Sequence, residues 1–511
     1  MNRWLSVLLF WLLTAPGSAQ LDGSPLSVRS VVSTAQQHNP QLKAAMLQLE
    51  SARWDLLGSE AAYEPVLEVD STAAQQATPN VLGTSVRINR VRRFDFGAQL
   101  SKHLIWGTDL TLRVGTSVQK NSLIGGISGV PTSGGMGMTG TSPLSNFGGF
   151  GVGSFGPLYG LLAKVSLKQP LWRGRGRDVG EATMRQARIN RTSNEHTRDR
   201  VGSEVLRDVL TAYWELWYAD AAVAIQQQSQ GVAARQRDEA QARSESGSLA
   251  PADVLTFDTQ VAERDESLVD AETTREQRAH ELARLLGTNE HEAYLGQSAD
   301  EPLDVHAYAR ELTEQRALAQ SAQIKEQESA LALAKLQQKT AENPQKPRLD
   351  LESNVQTQGL GNQSVSDAAN QFIGGNVISG LVTLTYEAPI RDRVRRAEAA
   401  KARLASEVAE QQLRQLRQQV LSDVRTALDR QAAGQHKVEL AQRTAGIAER
   451  QLSAEQARYR SGSSTAIAVL EAEDKLRSAK LRLARARADL AESALTIEHL
   501  TGELLARYAA R

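Results

Sequence analysis

The chain says the same thing twice. Ala242-Arg243-Ser244-Glu245-Ser246-Gly247-Ser248 returns as Ala457-Arg458-Tyr459-Arg460-Ser461-Gly462-Ser463. Pro65-Val66-Leu67-Glu68-Val69-Asp70-Ser71 returns as Pro347-Arg348-Leu349-Asp350-Leu351-Glu352-Ser353. Gln169-Pro170-Leu171-Trp172-Arg173 pairs with Ala388-Pro389-Ile390-Arg391-Asp392. The pairs keep their order, so each half must build the same series of helix, strands and long helices. This sets a first repeat at 20–287, a linker at 288–305 and a second repeat at 306–511. An insertion over 78–160 lengthens the first.

The strands declare themselves by period. Leu67 and Val69 alternate with Glu68 and Asp70, and Phe94 to Leu100 with Asp95 to Ser101. Leu110 to Thr116, Ala163 to Leu167, Leu349 to Val355 and Val382 to Tyr386 repeat the pattern, which gives six candidates. One face is apolar and the other strongly polar, as a half-buried sheet or a tilted membrane strand requires. Trp106-Gly107-Thr108-Asp109 reads as a turn, and the glycine- and serine-rich stretch 121–160 as a surface loop.

The helices are long. Residues 27–62 read as helical with a break at Asn39-Pro40. Segments 178–246 and 391–460 contain no proline, and about 70 residues at 1.5 Å each make a rod of roughly 100 Å. Val394, Ala397, Leu404, Val408, Leu413, Leu416, Val420, Val424 and Leu428 recur at threes and fours, a coiled-coil-like stripe. Each rod turns at Gly247 or Gly462 and returns over 251–286 or 464–508, with Pro251 in a first helical turn.

Arg3, the apolar run Trp4–Leu13 and Ala15-Pro16-Gly17-Ser18-Ala19 lay out a secretory leader, with cleavage expected after Ala19. Beyond it no apolar stretch is long enough for a transmembrane helix, so a membrane-spanning part must be a closed β-barrel. Cysteine is absent, which excludes disulfides and a lipidated N-terminal cysteine. The 59 basic and 59 acidic residues balance, which gives no reason to expect nucleic acid as a partner.

With His38-Asn39-Pro40-Gln41-Leu42, Gln169-Pro170-Leu171-Trp172, and the paired turns Arg243…Gly247…Asp253-Val254-Leu255 and Arg458…Gly462…Val469-Leu470, the chain resembles the TolC-type outer membrane efflux proteins. The resemblance implies an α+β membrane protein of the outer membrane. It would be a homotrimer whose transmembrane β-barrel continues into a long α-helical periplasmic barrel. It also implies a passive exit duct of a tripartite efflux or type I secretion system. The partners would be a periplasmic membrane-fusion adaptor and an inner-membrane efflux pump or ABC exporter. Family members usually contribute four strands each. With six here, either the barrel is larger or the 94–118 hairpin stands outside it.

By position, Arg243, Gly247, Asp253 and Leu255 form one adaptor-docking tip, and Arg458, Gly462 and Leu470 the other. Acidic rings at the periplasmic entrance are a family theme. Here Ala468 stands where an aspartate is common, and Glu471, Glu473 and Asp474 are the aperture candidates. Strand phase places Glu68, Asp70, Lys164, Asp350, Glu352 and Glu387 on the water side of a barrel, and a slip of one residue would invert every assignment.

Other signals point nowhere. Gly151-Val152-Gly153-Ser154-Phe155-Gly156 lacks the strand and helix of a dinucleotide site. His280-Glu281 and His291-Glu292 lack a second histidine one turn on, so no zinc pair forms. Tyr213-Trp214-Glu215-Leu216-Trp217-Tyr218 reads as interhelical packing. No catalytic constellation, cofactor or metal site is expected. The competing reading is a secreted coiled-coil structural or adhesive protein with a small soluble sheet and no pore.

Overall fold

The computed structural model describes residues 26–82, 85–124, 157–247, 249–287, 298, 300, 302, 308–362, 364–375, 377–388 and 390–509. The expected leader, the fingerprint-like Gly151–Gly156 and His291 lie outside them, as does most of the linker. The chain divides into two units. One comprises Met1–Ala52, Asn190–Leu331 and Val408–Arg511, the other Arg53–Ile189 and Ala332–Glu407.

Four helices of the first half have counterparts of similar length in the second. The first half has α1 (Val28–His38), α2 (Pro40–Ala61), a short α3 (Arg177–Gly180), α4 (Ala182–Glu245) and α5 (Pro251–Leu286). The second has α6 (Arg310–Gln320), α7 (Ala322–Glu342), α8 (Val365–Ile373), α9 (Arg393–Arg460), α10 (Ala466–Thr501) and α11 (Glu503–Ala509). The helices α1 and α6 are each 11 residues long, α2 and α7 are 22 and 21, α4 and α9 are 64 and 68, and α5 and α10 are both 36. Asn39 breaks α1 from α2 as expected. Its carboxamide accepts from the N–H groups of Gln41 and Leu42 while it donates to the Leu285 carbonyl.

In the helical unit, one core gathers Val31, Val209, Leu210, Tyr213, Leu282 and Leu504. The aromatic run packs there, with Tyr213 and Leu216 fully buried. Tyr213 donates to the Leu26 carbonyl and accepts from the Asp300 N–H. A second core holds Ala317, Ile324, Val420, Val424 and Ile497. The stripe on α9 divides: Val420 and Val424 are buried, whereas Val394 and Leu404 are 68% and 60% exposed. Among the described residues no helix is long and apolar enough to cross a membrane.

The other unit carries one antiparallel six-stranded meander in the order β1-β2-β3-β4-β5-β6. Its strands are β1 (Val66–Leu82), β2 (Ser85–His103), β3 (Asp109–Ile124), β4 (Leu158–Pro170), β5 (Arg348–Gly361) and β6 (Ile378–Glu387). The β2–β3 hairpin stands within the sheet. It pairs with β1 from Val66↔Ser101 to Leu82↔Ser85 and with β4 from Asp109↔Lys168 to Gln119↔Leu158. Of the loop expected over 121–160, residues 121–124 extend β3 and 158–160 open β4, while 125–156 lie outside the described residues.

Candidate functional site

Register fixes which side chains share a face, because directly paired residues project to the same side. One row runs Glu68, Gln99, Arg113, Lys164, Gln356, Ser379 across all six strands. Asp70, Asp350, Glu352 and Glu387 fall in the same phase, so all six residues expected on the water side share one face. The opposite face carries Leu67, Val69, Phe94, Phe96, Leu112, Val114, Val165, Val355, Val382 and Leu384, all exposed. An apolar face left open on one side of a sheet whose other side is charged is the pattern of lipid outside and water inside.

The polar face is ion-paired. Arg113 reaches Asp70 at 2.8 Å, crossing Gly97, where a Cβ would lie 3.0 Å from the guanidinium. Arg93 pairs with Asp95 at 2.8 Å and Arg348 with Asp350 at 2.7 Å. Glu387 lies among Arg173, Arg348 and Arg395. None of these arginines was among the residues expected on the water side, although Arg93 and Arg113 share the predicted polar phase and could have been found by it. Edge-on contact of Trp172 and Tyr386, at 6.1 Å between ring centroids, marks this end of the sheet. Aromatic side chains favour that position where lipid meets water.

The helical turns lie in the other unit. Gly247 and Gly462 adopt φ of +74° and +77°, the left-handed conformation expected of them. The amide of Gly247 donates to the Ser244 carbonyl and that of Gly462 to Tyr459. The two turns are joined side by side. The Arg243 guanidinium lies 4.9 Å from the centroid of the Tyr459 ring, and Ala240, Phe257 and Leu470 form a small core behind it. Leu255 is exposed (65%), whereas Leu470 is buried and braces the tip from within. Arg458 pairs with Glu455 at 2.9 Å, and Asp253 falls in the first turn of α5.

The three aperture candidates separate. Positions 471 and 473 stand about 200° apart on a helix, so they cannot face one opening together. Glu471 is exposed. Glu473 is buried, accepts from Ser229, and has its pKa raised by burial, opposed by nearby Arg264. Asp474 pairs with the buried Arg264 and with Arg477. Further along α10, Arg485 bridges Glu215 and Asp489, both at 2.7 Å. Beside them, burial and the Glu215 charge push Glu492 up to about 7. No sequence signal marked that cluster. Among the described residues no group of three or more metal-ligating side chains is placed to hold an ion.

These features define a class: a channel protein with a lipid-facing sheet and long helical turns. The outer membrane efflux protein family model matches residues 131–288 and 314–503, and the chain belongs to that family. It is accordingly an outer-membrane efflux channel protein. No curated protein sequence matches it. Among solved structures it is similar to the outer membrane protein VceC of Vibrio cholerae, at 16% identity and TM-score 0.63, covering 93% of this chain and 96% of that one. It is also similar to the CmeC outer membrane channel of Campylobacter jejuni, at 14% identity and TM-score 0.62, with 93% and 85% covered. The open-state MtrE channel of Neisseria gonorrhoeae gives 16%, TM-score 0.59, and 93% and 89%. At these identities the likeness is one of fold.

Proposed function

We propose that three copies close their sheets into one eighteen-stranded barrel in the outer membrane, continuous with a helical barrel in the periplasm. The carrying observation is the two-faced sheet with both edges open: β1 and β6 each pair on one side only. Lipid tolerates no unpaired strand edge. An even number of antiparallel strands leaves β1 and β6 running oppositely, so β6 of one copy meets β1 of the next in antiparallel sense. A secreted coiled-coil protein has no use for the exposed apolar face.

In this reading the matched helix lengths reflect two repeats with the boundaries given above. Conduction is passive. The turns at Gly247 and Gly462 meet a periplasmic adaptor through exposed Leu255 and Arg458, with Arg243, Asp253 and buried Leu470 as the frame. The adaptor joins them to an inner-membrane efflux pump or ABC exporter. Glu471 is the aperture carboxylate, since three of them near a threefold axis favour cations. The test is single-channel conductance of the detergent-purified protein in a planar bilayer beside Glu471→Gln. Cation-selective openings that lose selectivity in the variant are expected. A protein that stays soluble without detergent and never conducts would overturn the proposal.

A further inference from the structure

On the outward face two strands end their apolar run with a cation. Along β2 that face reads Lys102, Leu100, Ala98, Phe96, Phe94, Arg92, and along β3 it reads Leu110, Leu112, Val114, Thr116, Val118, Lys120. Lys102 to Arg92 is ten residues, about 34 Å along a strand and roughly 26 Å in height at a tilt near 40°, which matches an apolar band of about 25 Å. Arg92 and Lys120 therefore sit where the hydrocarbon ends. The strands continue past them, away from the end that joins the helices, so this is the outer leaflet.

Arg92 and Lys120 are direct cross-strand partners, with Gln75 next in the row on β1. Two like charges placed opposite each other destabilise a sheet unless an anion lies between them. Among the described residues no ion pair joins either cation to a carboxylate, the neighbouring Asp95 being engaged by Arg93 on the other face. Arg92 Nε donates to Gln75 Oε1 at 3.1 Å, which leaves the Gln75 amide N–H groups as further donors. A shallow cavity of about 410 Å³ opens here, and its lining includes Ala73, Gln75, Arg92, Phe94, Val118 and Lys120, with Ala74 and Arg93 between them. Its rim presents guanidinium, ammonium and amide donors, with the Gln75 carboxamide oxygen engaged by Arg92, and its floor is apolar.

We infer that Arg92, Lys120 and Gln75 bind the phosphate of an outer-leaflet lipid whose acyl chains lie along Phe94 and Val118. The inference rests on the barrel reading. A lipid satisfies both parts of the cavity, whereas a free anion uses only its rim.

The experiment measures how much diphosphoryl lipid A stays bound to the detergent-solubilised full chain by native mass spectrometry, against the dephosphorylated lipid with the same acyl chains. Conductance is recorded on the same preparations. Phosphate-dependent binding is expected, weakened about thirtyfold in Arg92→Gln/Lys120→Gln. It should be retained in Arg92→Lys and in the helix-surface control Lys437→Gln. Equal binding of the two lipids, or equal binding by the native chain and the double variant, would overturn the inference while conductance left the barrel standing. Displacement by millimolar inorganic phosphate would also overturn it, in favour of a free-anion site. If the double variant does not fold, Arg92→Lys against Arg92→Gln decides. Absence of any conductance would sink the barrel reading itself.

Discussion

In the proposed eighteen-stranded barrel, removing residues 85–124 should narrow the wall by a calculable amount. The deletion takes out β2 and β3 and leaves 125–156 to connect β1 to β4, which run antiparallel to one another. Their faces stay in phase, because Glu68 and Lys164 already share a row through Gln99 and Arg113. Strands about 4.8 Å apart and tilted near 40° close at a backbone radius of roughly 18 Å for eighteen strands and roughly 12 Å for twelve. Subtracting about 5 Å for inward side chains leaves free radii of roughly 13 and 7 Å, so the open cross-section falls about threefold. Electron cryomicroscopy in lipid nanodiscs reads the ring diameter directly, about 36 Å in the native protein and about 24 Å after deletion. A native ring already near 24 Å would refute the reasoning, since β2–β3 would then stand outside the wall.

Three further outcomes follow from local geometry. Glu492 is held protonated to about 7, above the ordinary 4.5, so its charged form opposes folding; the penalty is absent below pH 4.5 and complete above pH 7. With a discount for its partial exposure, Glu492→Gln should stabilise by about 1–2 kcal/mol at pH 8 and by nothing at pH 4, read as the difference in thermal midpoint shift. An equal shift at both pH values would remove burial as the cause. Gly462→Ala should cost about 1 kcal/mol because its φ is +77°, whereas Gly446→Ala, inside α9 with open space at its Cβ, should gain about 0.5–1 kcal/mol. Chemical denaturation of both variants checks the opposite signs. A double-mutant cycle on Arg243→Ala and Tyr459→Leu should give a coupling of about 0.5–1 kcal/mol, and additivity would show that the stacked pair holds nothing.

Helix limits were legible in the sequence because single residues set them: Asn39 before Pro40, Gly247 before Pro251, Gly462 before α10. Strand phase was legible too, since a two-residue period needs only alternating polarity. Strand length was not. Beyond Phe94 the strand β2 carries Arg93, Arg92 and Arg90 within four residues, and where both faces meet water or headgroups the alternation vanishes although pairing continues. Rotation along α10 was not legible in the same way: 471 and 473 are close in sequence yet stand about 200° apart on the helix. Nor does sequence spacing record that Leu470 turns inward beside Phe257. The α9 stripe was read as one surface, yet its partners change along its length, which periodicity does not record.

The two open strand edges also have a genetic meaning. In the proposed trimer, a wall shared by three chains cannot be completed by one sound copy, since each edge waits for a neighbour. A defect confined to β1 or β6 therefore spoils every assembly that it enters. If half of the chains made in a cell carried such a defect and mixed freely, only about one channel in eight would be wholly sound. Mutations on these two strands should accordingly be dominant, and those that merely prevent a chain from folding recessive.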